Sequence, residues 1–335
     1  MTGDYQSAWR FGNMALKLLD RYGSVLTRAR CFFMFGIGPS KYGQHLTESL
    51  YYFRKGFEYA VEAGDIAFAS YMSNHLTLNS FYGNEHLSVV RRVYLEKAAF
   101  LKKSNTFIFE YLQSSMMTFK YLAGIEDEGP FIFDQEAFER SEISQGSLLK
   151  TLHASNLLQR AIYRHDATDL IPLAETVYET MPLHLNGTIH ECLGWFYSAL
   201  VFLSECGKGG RHEHDSEKRS ELLRKADKSI EKLTTWASCC EANFEHKALI
   251  LKAERARVLG HFETAVKMYS AAIASAHRHD YICYEALANE LAAKFWMASN
   301  LAIYAHQHLT NAHYLYHRMG AYQKVRQMQS DYSEL

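Results

Sequence analysis

The 335-residue chain has little proline, no excess charge and no long apolar run. Only 4 prolines occur, and because proline costs about 3 kcal/mol inside a helix, their scarcity favours long uninterrupted helices. Lys and Arg number 36 against 37 Asp and Glu, so the net charge of -1 gives no electrostatic footprint for nucleic acid or an anionic membrane. No segment reaches the roughly 18 apolar residues of a membrane span, and no basic leader precedes an apolar run at the N-terminus.

Paired cysteines and catalytic motifs are missing as well. None of the 6 cysteines lies in a C-x-x-C pair, which predicts free, buried thiols in a reducing cytosol. The chain has no G-x-x-x-x-G-K-[ST] phosphate loop, no H-R-D or D-F-G kinase pair and no G-x-S-x-G elbow. We therefore expect a soluble, cytoplasmic protein that is not an enzyme, with no cofactor and no catalytic, cofactor-binding or metal-binding residues.

A helical period is what the chain does contain. Apolar residues recur every 3.6 positions almost throughout, and no segment alternates as a strand would. The pattern predicts an all-α protein with helices over 5–22, 24–36, 43–63, 66–81, 86–102, 105–122, 146–164, about 168–180, 189–206, 216–238, 241–259, 261–278, 281–299 and 302–319. Asp65 is predicted to cap the fourth helix, and Pro172 to lie in the first turn of its own.

Polar loops predicted at 124–130 and 207–215 interrupt the helical pattern, and the chain is predicted to have three regions. Residues 1–124 form N-terminal helical repeats, 125–240 an irregular helical middle with loop insertions, and 241–335 C-terminal repeats. Whether the middle region continues the repeats or breaks them is left open by the sequence.

The C-terminal region repeats itself with a period of about 40 residues, which is in the range of helical-repeat units. Ala253, Ala265, Tyr269 and Ala272 return as Ala293, Ala305, Leu309 and Ala312. Small residues at this spacing allow two helices to cross closely, and a fixed period is typical of a solenoid. The sequence thus predicts a tetratricopeptide-like (TPR-like) helical-repeat solenoid. Because the helices are longer than a TPR unit of roughly 34 residues allows, a HEAT-like α-α superhelix is the alternative.

Two blocks near the ends carry a resemblance to a known family. The first block is Trp9-Arg10-Phe11-Gly12, Ala15-Leu16-Lys17-Leu18-Leu19, Ala29-Arg30, His45-Leu46 and Ser49-Leu50. The second runs from Glu285 to Trp296 and continues as Ala312-His313-Tyr314-Leu315-Tyr316, Gly320-Ala321 and Lys324-Val325. Together they resemble the helical region of large multidomain signalling kinases of bacteria and fungi.

The resemblance implies a place in signal transduction, of the two-component or Ser/Thr-kinase type. In that family a protein-kinase-like domain and an AAA-type ATPase domain precede the helical region, and a GAF domain and a histidine-kinase core follow it. This chain departs from the pattern by lacking their motifs, and by carrying Met319 where the family tends to have tryptophan. Any enzymatic activity implied by the family would belong to those other domains.

Several histidines and one acidic pair are the side chains that could form a metal or catalytic site. His212 and His214 lie in a glycine-rich stretch without the second shell that a metal site needs, so a solvated loop is the better interpretation. His277, His279 and Asp280 are interpreted as a helix C-terminus. His306 and His308 are predicted to point to different faces of one helix. Glu126 and Glu128 are interpreted as a solvated charge cluster.

Two functions remain open at this point. The first is a non-catalytic regulatory scaffold that binds a protein or peptide partner, or flanking kinase and ATPase domains. The alternative is a small-molecule sensor whose superhelix closes round its ligand, with a pocket in the aromatic-rich N-terminal half. Tyrosines were candidates for lining a binding groove at positions Tyr51, Tyr52, Tyr71, Tyr82, Tyr94 and Tyr111. No partner-binding residue is assigned.

Overall fold

The protein is all-helical in a computed structural model that describes residues 4–125, 131–141, 146–165, 169–208 and 213–332. Within those ranges there are 17 α-helices and no strand. This confirms the all-α prediction. Among the described helices, none combines the length and the apolar character that crossing a bilayer requires.

The N-terminal third begins with seven helices separated by short turns. They are α1 (Tyr5–Tyr22), α2 (Val25–Ile37), α3 (Ser49–Glu62), α4 (Ile66–Tyr82), α5 (Leu87–Ser104), α6 (Thr106–Ser115) and α7 (Met117–Ala123). Two 3-10 turns, Pro39–Tyr42 and Leu46–Glu48, separate α2 from α3. Asp65 caps α4 as predicted, because its carboxylate accepts a hydrogen bond from the Phe68 backbone N–H at 3.3 Å.

Ten further helices follow in the described part of the chain. They are α8 (Gln135–Arg140), α9 (Ser147–Arg164), α10 (Ile171–His184), α11 (Ile189–Cys206), α12 (Glu213–Ala237), α13 (Glu241–Val258), α14 (Phe262–Arg278), α15 (Ile282–Ala298), α16 (Ala302–Met319) and α17 (Tyr322–Asp331). Pro172 lies in the first turn of α10, as predicted. Helices α8 and α17 were not predicted, since neither is long enough to show a clear period.

Three predicted boundaries were wrong. The helix predicted over 43–63 begins only at Ser49, because the residues before it form turns whose backbone groups bond to the Asn243 side chain. The helix predicted over 105–122 divides at Met116, which is fully buried and ends α6. The loop predicted over 207–215 is shorter, since α12 already begins at Glu213.

One turn recurs along the chain and joins consecutive helices. The last residue of the helix is followed, directly or after one further residue, by a residue with positive φ. The N–H of this residue bonds to the carbonyl three residues back, and the next N–H bonds to the carbonyl five residues before it. At Asp280 these bonds run from Asp280 N to His277 O (3.2 Å) and from Tyr281 N to Ala276 O (2.9 Å). The same pair of bonds closes the helix at Gly64, Asn84, Gly124, Gly260, Asp280, Asn300 and Gly320. The last four of these positions are evenly spaced along the chain, so each helix of the C-terminal repeat ends in the same way.

The small residues of the repeat are buried where the helices pack. The eight repeat positions are between 0% and 6% exposed: Ala253, Ala265, Tyr269, Ala272, Ala293, Ala305, Leu309 and Ala312. Consecutive helices from α10 to α16 pack against one another in sequence order. The burial confirms the predicted role of the small residues as close contacts between helices.

The N-terminal third also packs against the C-terminal helices. One buried apolar cluster extends from Tyr42 to Met328. Asn84 bridges the two ends, because its side-chain NH2 donates to the Asp280 carbonyl (2.8 Å) and its side-chain oxygen accepts from the Cys283 N–H (2.9 Å). Asn243 of α13 accepts from the Leu46 N–H at 2.9 Å. A continuous core therefore joins residues far apart in the sequence.

Candidate functional site

A cavity of about 590 Å³ lies between α9, α10, α11, α13 and α15. It is larger than two other surface cavities, of about 380 and 420 Å³, in the N-terminal third. Its volume is within the usual range for small-molecule sites. Apolar side chains from four helices and the chain before α10 cover much of its wall, among them Ile162, Leu170, Ile171, Leu200, Leu287 and Leu291.

Charged side chains converge on the same cavity. They come from the end of α9, from α11 and the residues after it, and from α13 and α15: His165, Glu205, Lys208, Glu254, Arg257 and Lys294. Lys208 pairs with Glu205 at 2.8 Å, and Arg257 pairs with Glu254 at 2.7 Å. An apolar wall with a few convergent polar groups is the usual composition of a ligand site.

Glu254 is the most enclosed carboxylate of the cavity wall. Its side chain is 5% exposed, and both of its oxygens are occupied. Oε2 accepts two hydrogen bonds from the Arg257 guanidinium (Nε at 3.0 Å and Nη2 at 2.7 Å), and Oε1 accepts one from the Tyr269 hydroxyl. Neither bond from Arg257 to Glu254 uses the Nη1 group. Gly207 permits this arrangement, because a Cβ there would lie 2.9 Å from Nη1.

A network of charged and polar side chains adjoins the cavity. We name it the Glu290 cluster (His165, Glu290, Lys294, Tyr316 and Lys324). Lys324 Nζ donates to Glu290 Oε1 at 2.9 Å and lies 3.0 Å from His165 Nε2. The Tyr316 hydroxyl donates to Glu290 Oε2 at 3.0 Å. His165 Nε2 lies 2.5 Å from Glu290 Oε1 and 3.0 Å from Lys294 Nζ. His165 and Lys294 belong to both the cluster and the cavity wall.

The electrostatics of this cluster favour an ionised Glu290. Burial alone would raise its pKa, but the positive charges of Lys324 and Lys294 and the contact with His165 hold the pKa of Glu290 well below its usual range. Burial raises the pKa of the Tyr316 hydroxyl, and the adjacent Glu290 charge raises it further. Tyr316 therefore stays protonated and serves as a hydrogen-bond donor.

A second buried polar group surrounds Lys247, which is 2% exposed and has no carboxylate within ion-pair distance in the described part of the chain. Its Nζ donates to the Asn243 carbonyl at 2.9 Å and to His246 Nε2 at 2.8 Å. It also lies 3.9 Å from the ring centre of Tyr284 and 4.9 Å from that of Tyr281. Burial lowers the pKa of Lys247 to about 8.

Lys41 is a third buried lysine, bonded mainly to backbone carbonyls. Its Nζ donates to the carbonyls of Gly38 (2.7 Å) and Gly187. Burial lowers the pKa of Lys41 to about 7, although the nearby Glu191 charge opposes the shift. Glu191 itself accepts from the Gly187 N–H at 2.7 Å and from Trp195 Nε1 at 3.3 Å. These bonds fix the turn before α11 against the N-terminal third.

One group of side chains has the composition of a metal site. Ligand atoms of Glu241, Glu245 and His279 lie within 4.8 Å of one another, where the start of α13 meets the end of α14. Glu245 Oε2 already accepts from the Ser275 hydroxyl at 2.6 Å, and Glu241 is exposed. His279 Nε2 has no hydrogen-bond partner among the described residues. The group is partly open to solvent.

The histidines and carboxylates considered from the sequence contribute little to these sites. His212, Glu126 and Glu128 lie outside the described residues, and the side chain of His214 is not described. His279 ends α14 and Asp280 adopts positive φ, as predicted for a helix C-terminus.

The histidines of α16 lie as predicted. His306 is exposed, whereas His308 Nδ1 contacts the Asn289 side-chain oxygen at 2.9 Å. The two rings therefore face different surroundings, and neither lines the cavity.

The tyrosines considered for a groove fall into two classes. Tyr82, Tyr94 and Tyr111 are 1–7% exposed and pack in the core, so they form no surface groove. Tyr51 and Tyr71 are exposed and Tyr52 is half-buried, yet none of the six lines the large cavity. Its position between the middle and C-terminal helices differs from the N-terminal position expected for a pocket.

All six cysteines are unpaired, as predicted. Only Cys192 and Cys206 are buried; the other four are partly exposed, so the prediction of buried thiols was wrong for them. Burial raises the pKa of the Cys192 and Cys283 thiols to about 11. Both are therefore protonated at neutral pH, and a protonated thiol is a poor nucleophile.

The sequence did contain a signal for the Glu290 cluster. Glu290 stands within the apolar run Ala286-Leu287-Ala288-Asn289-Glu290-Leu291-Ala292-Ala293, where a carboxylate needs a buried counter-charge. No comparable signal marks His165, whose neighbours in the sequence are polar, or Arg257, which lies close to the end of its helix.

Comparison with known proteins does not extend this description: no family model, no curated protein and no solved structure matches the chain.

Proposed function

We propose that this protein is a non-catalytic, TPR-like regulatory scaffold that binds a protein or peptide partner, or flanking kinase and ATPase domains, in signal transduction. The observation that supports it is the recurrence of one turn. The same left-handed residue and pair of backbone bonds close helices at both ends of the chain, four of them evenly spaced from Gly260 to Gly320. Stacked helix pairs of this kind form the extended surfaces through which repeat proteins bind their partners.

We propose a non-catalytic protein because its buried ionisable groups are paired with one another or held protonated. Glu290 and Lys324 neutralise each other, and the Glu254 carboxylate is saturated by Arg257 and Tyr269. The thiols of Cys192 and Cys283 are held protonated by their raised pKa values. Such groups stabilise contacts between helices and are poor candidates for general bases or nucleophiles.

An affinity purification from native cytosol tests the scaffold function, with the full chain as bait and cross-linking to locate the contact. We expect recovery of kinase, ATPase or response-regulator proteins, with cross-links to lysines of the helical repeats. A charge-matched unrelated helical protein is the control bait. Recovery of the same proteins by both baits, or of none by this chain, would contradict the proposal.

The cavity of about 590 Å³ favours a second candidate, a small-molecule sensor. Its walls come from α9, α10, α11, α13 and α15, so a ligand would contact helices from separate parts of the chain. A ligand that prefers one arrangement of those helices would shift the population towards it. Small-angle scattering with and without ligand tests this function, and an unchanged profile together with unchanged hydrogen exchange would contradict it.

A further inference from the structure

We propose that the large cavity between α9–α11, α13 and α15 binds a small amphipathic anion, an acidic head group of the carboxylate or phosphate type on an apolar body. The proposal rests on the sensor candidate above and names the chemical class of its ligand. Three features of the cavity support it: the apolar wall, the surplus of hydrogen-bond donors over acceptors, and the position of Lys294 between solvent and the Glu290 cluster.

The apolar wall determines that the body of the ligand is apolar. Leu170 and Ile171 lie on one side of the cavity, Leu200 lies on α11, and Leu287 and Leu291 lie on α15. Apolar surface that faces a cavity gains about 25 cal/mol for each Å² removed from water. A hydrocarbon chain or ring system of small-molecule size therefore fits this wall better than a polar metabolite does.

The charged side chains of the wall determine the charge of the ligand's head group. The cavity wall carries three cations, Lys208, Arg257 and Lys294, against the two carboxylates of Glu205 and Glu254. Both oxygens of Glu254 already accept hydrogen bonds, from Arg257 and Tyr269. A donor remains in Lys294, whose side chain is 40% exposed and lies 3.7 Å from Glu290. A group that only accepts hydrogen bonds, as a carboxylate or phosphate does, complements such a surface.

Lys294 is the cation best placed to bind a head group. Its side chain is 40% exposed, its Nζ lies 3.0 Å from His165 Nε2, and Glu290 Oε1 is more distant at 3.7 Å. Glu290 is already neutralised by the buried Lys324 at 2.9 Å. Lys294 can therefore turn towards a ligand while the buried pair stays intact.

Calorimetric titration of the full chain tests the proposal with four probes of equal chain length, each kept below its micelle concentration. They are dodecanoate, dodecyl phosphate, dodecanol and dodecylamine. We expect one molecule of dodecanoate or dodecyl phosphate to bind for each protein, and dodecanol and dodecylamine to bind at least tenfold more weakly. The stronger of the two anions identifies the head group.

Three variants connect the binding to the cavity. Lys294→Gln should weaken binding of the anions about tenfold and leave dodecanol unchanged, whereas Leu291→Trp should fill the cavity and abolish binding of every probe. Lys267→Gln is the matched control, because it removes the same charge from the exposed face of α14 away from the cavity. Circular dichroism confirms that each variant is folded.

Several outcomes would overturn the proposal: equal binding of dodecanol or dodecylamine, more than one anion bound for each protein, unchanged binding by Leu291→Trp, or no binding of either anion. These outcomes are separate from a failure of the sensor function. If an anion binds the cavity without changing the scattering profile or hydrogen exchange, the proposed binding site is supported and the sensor function is contradicted. The scaffold function is tested by affinity purification alone.

Discussion

Lys324 and Lys247 are both buried, but their charges are compensated in different ways. Lys324 is fully buried and donates to the carboxylate of Glu290 at 2.9 Å. Lys247 is 2% exposed and faces the rings of Tyr284 and Tyr281, with the Asn243 carbonyl and a histidine nitrogen as its acceptors. Each lysine lies within 3.0 Å of a histidine Nε2, so the difference lies in the carboxylate.

The free-energy cost of burying a lysine therefore depends on whether a carboxylate compensates its charge. Removing one member of a buried ion pair lowers the free energy of unfolding strongly, because the remaining charge has no partner. A buried lysine without a carboxylate lacks the charge that would offset its desolvation, and burial lowers the pKa of Lys247 to about 8, so it loses its proton more easily than an exposed lysine. The Glu290 cluster therefore depends on both members of its pair, whereas the Lys247 site should accept an apolar residue of similar shape.

The largest expected effect is that of Glu290→Gln. The substitution leaves the Lys324 ammonium buried without a counter-charge, so we expect the free energy of unfolding to fall by about 3–5 kcal/mol. Urea denaturation followed by circular dichroism measures the change. The double variant Glu290→Gln, Lys324→Met should recover much of the loss, because it removes the unpaired charge.

Glu263→Gln is the matched control, since Glu263 is exposed on α14. We expect it to change the free energy of unfolding by less than about 0.5 kcal/mol. If Glu290→Gln were equally harmless, or if the double variant were no more stable than the single one, Lys324 would not depend on Glu290 as described.

Tyr316→Phe should have the next largest effect. It removes the hydroxyl that donates to Glu290 Oε2 at 3.0 Å and keeps the ring in place. Because hydrogen bonds to charged groups contribute about 1.5–3 kcal/mol, we expect a loss of that size in urea denaturation. Tyr304→Phe, at an exposed position of α16, is the control. A loss no larger than that of the control would mean that Glu290 is satisfied without Tyr316.

Lys247→Met should stabilise the protein by about 1 kcal/mol at pH 7, or leave it unchanged. The pKa of Lys247 is lowered to about 8, whereas an unfolded lysine has a pKa of about 10.4. Between those values the unfolded state binds more protons, so wild-type stability rises with pH and is lost as pH falls through 8. The variant should show a smaller rise between pH 7 and 10 in thermal melts.

Lys267→Met controls for the loss of a surface charge, and it should keep the wild-type pH dependence. Some rise should persist in Lys247→Met, because the pKa of Lys41 is lowered in the same direction, to about 7. A variant whose stability follows the wild-type curve at every pH would show that Lys247 is protonated throughout the range.

The sequence predicted the helices well because their ends carry local signals. Asp65, Gly260 and Asp280 mark turns through short-range hydrogen bonding and backbone conformation, and both can be inferred from neighbouring residues. Alanines at a fixed period likewise indicate where helices pack. The turn preceding α3 was missed because its backbone groups bond to Asn243, which lies far along the chain in α13.

The candidate site could not be predicted in the same way. Its wall combines His165, Glu254 and Lys294, which no local period relates to one another. Glu290 and Lys324 were visible only as parts of a family resemblance, although a carboxylate inside an apolar helix already required a partner. Which lysine provides it depends on how α15 and α17 pack, and that packing has no signature in either helix alone.

The smallest expected effect is that of Lys294→Gln on stability. Lys294 belongs to the same cluster as Lys324, but its side chain is 40% exposed and lies 3.7 Å from Glu290 Oε1. Exposed ion pairs contribute about 0.2–1 kcal/mol, so we expect a loss of at most about 1 kcal/mol in urea denaturation, decreasing with added salt. A loss approaching that of Glu290→Gln would mean that Lys294 shares the charge compensation equally with Lys324. A small loss would instead assign compensation to the buried lysine and leave the exposed one available at the cavity.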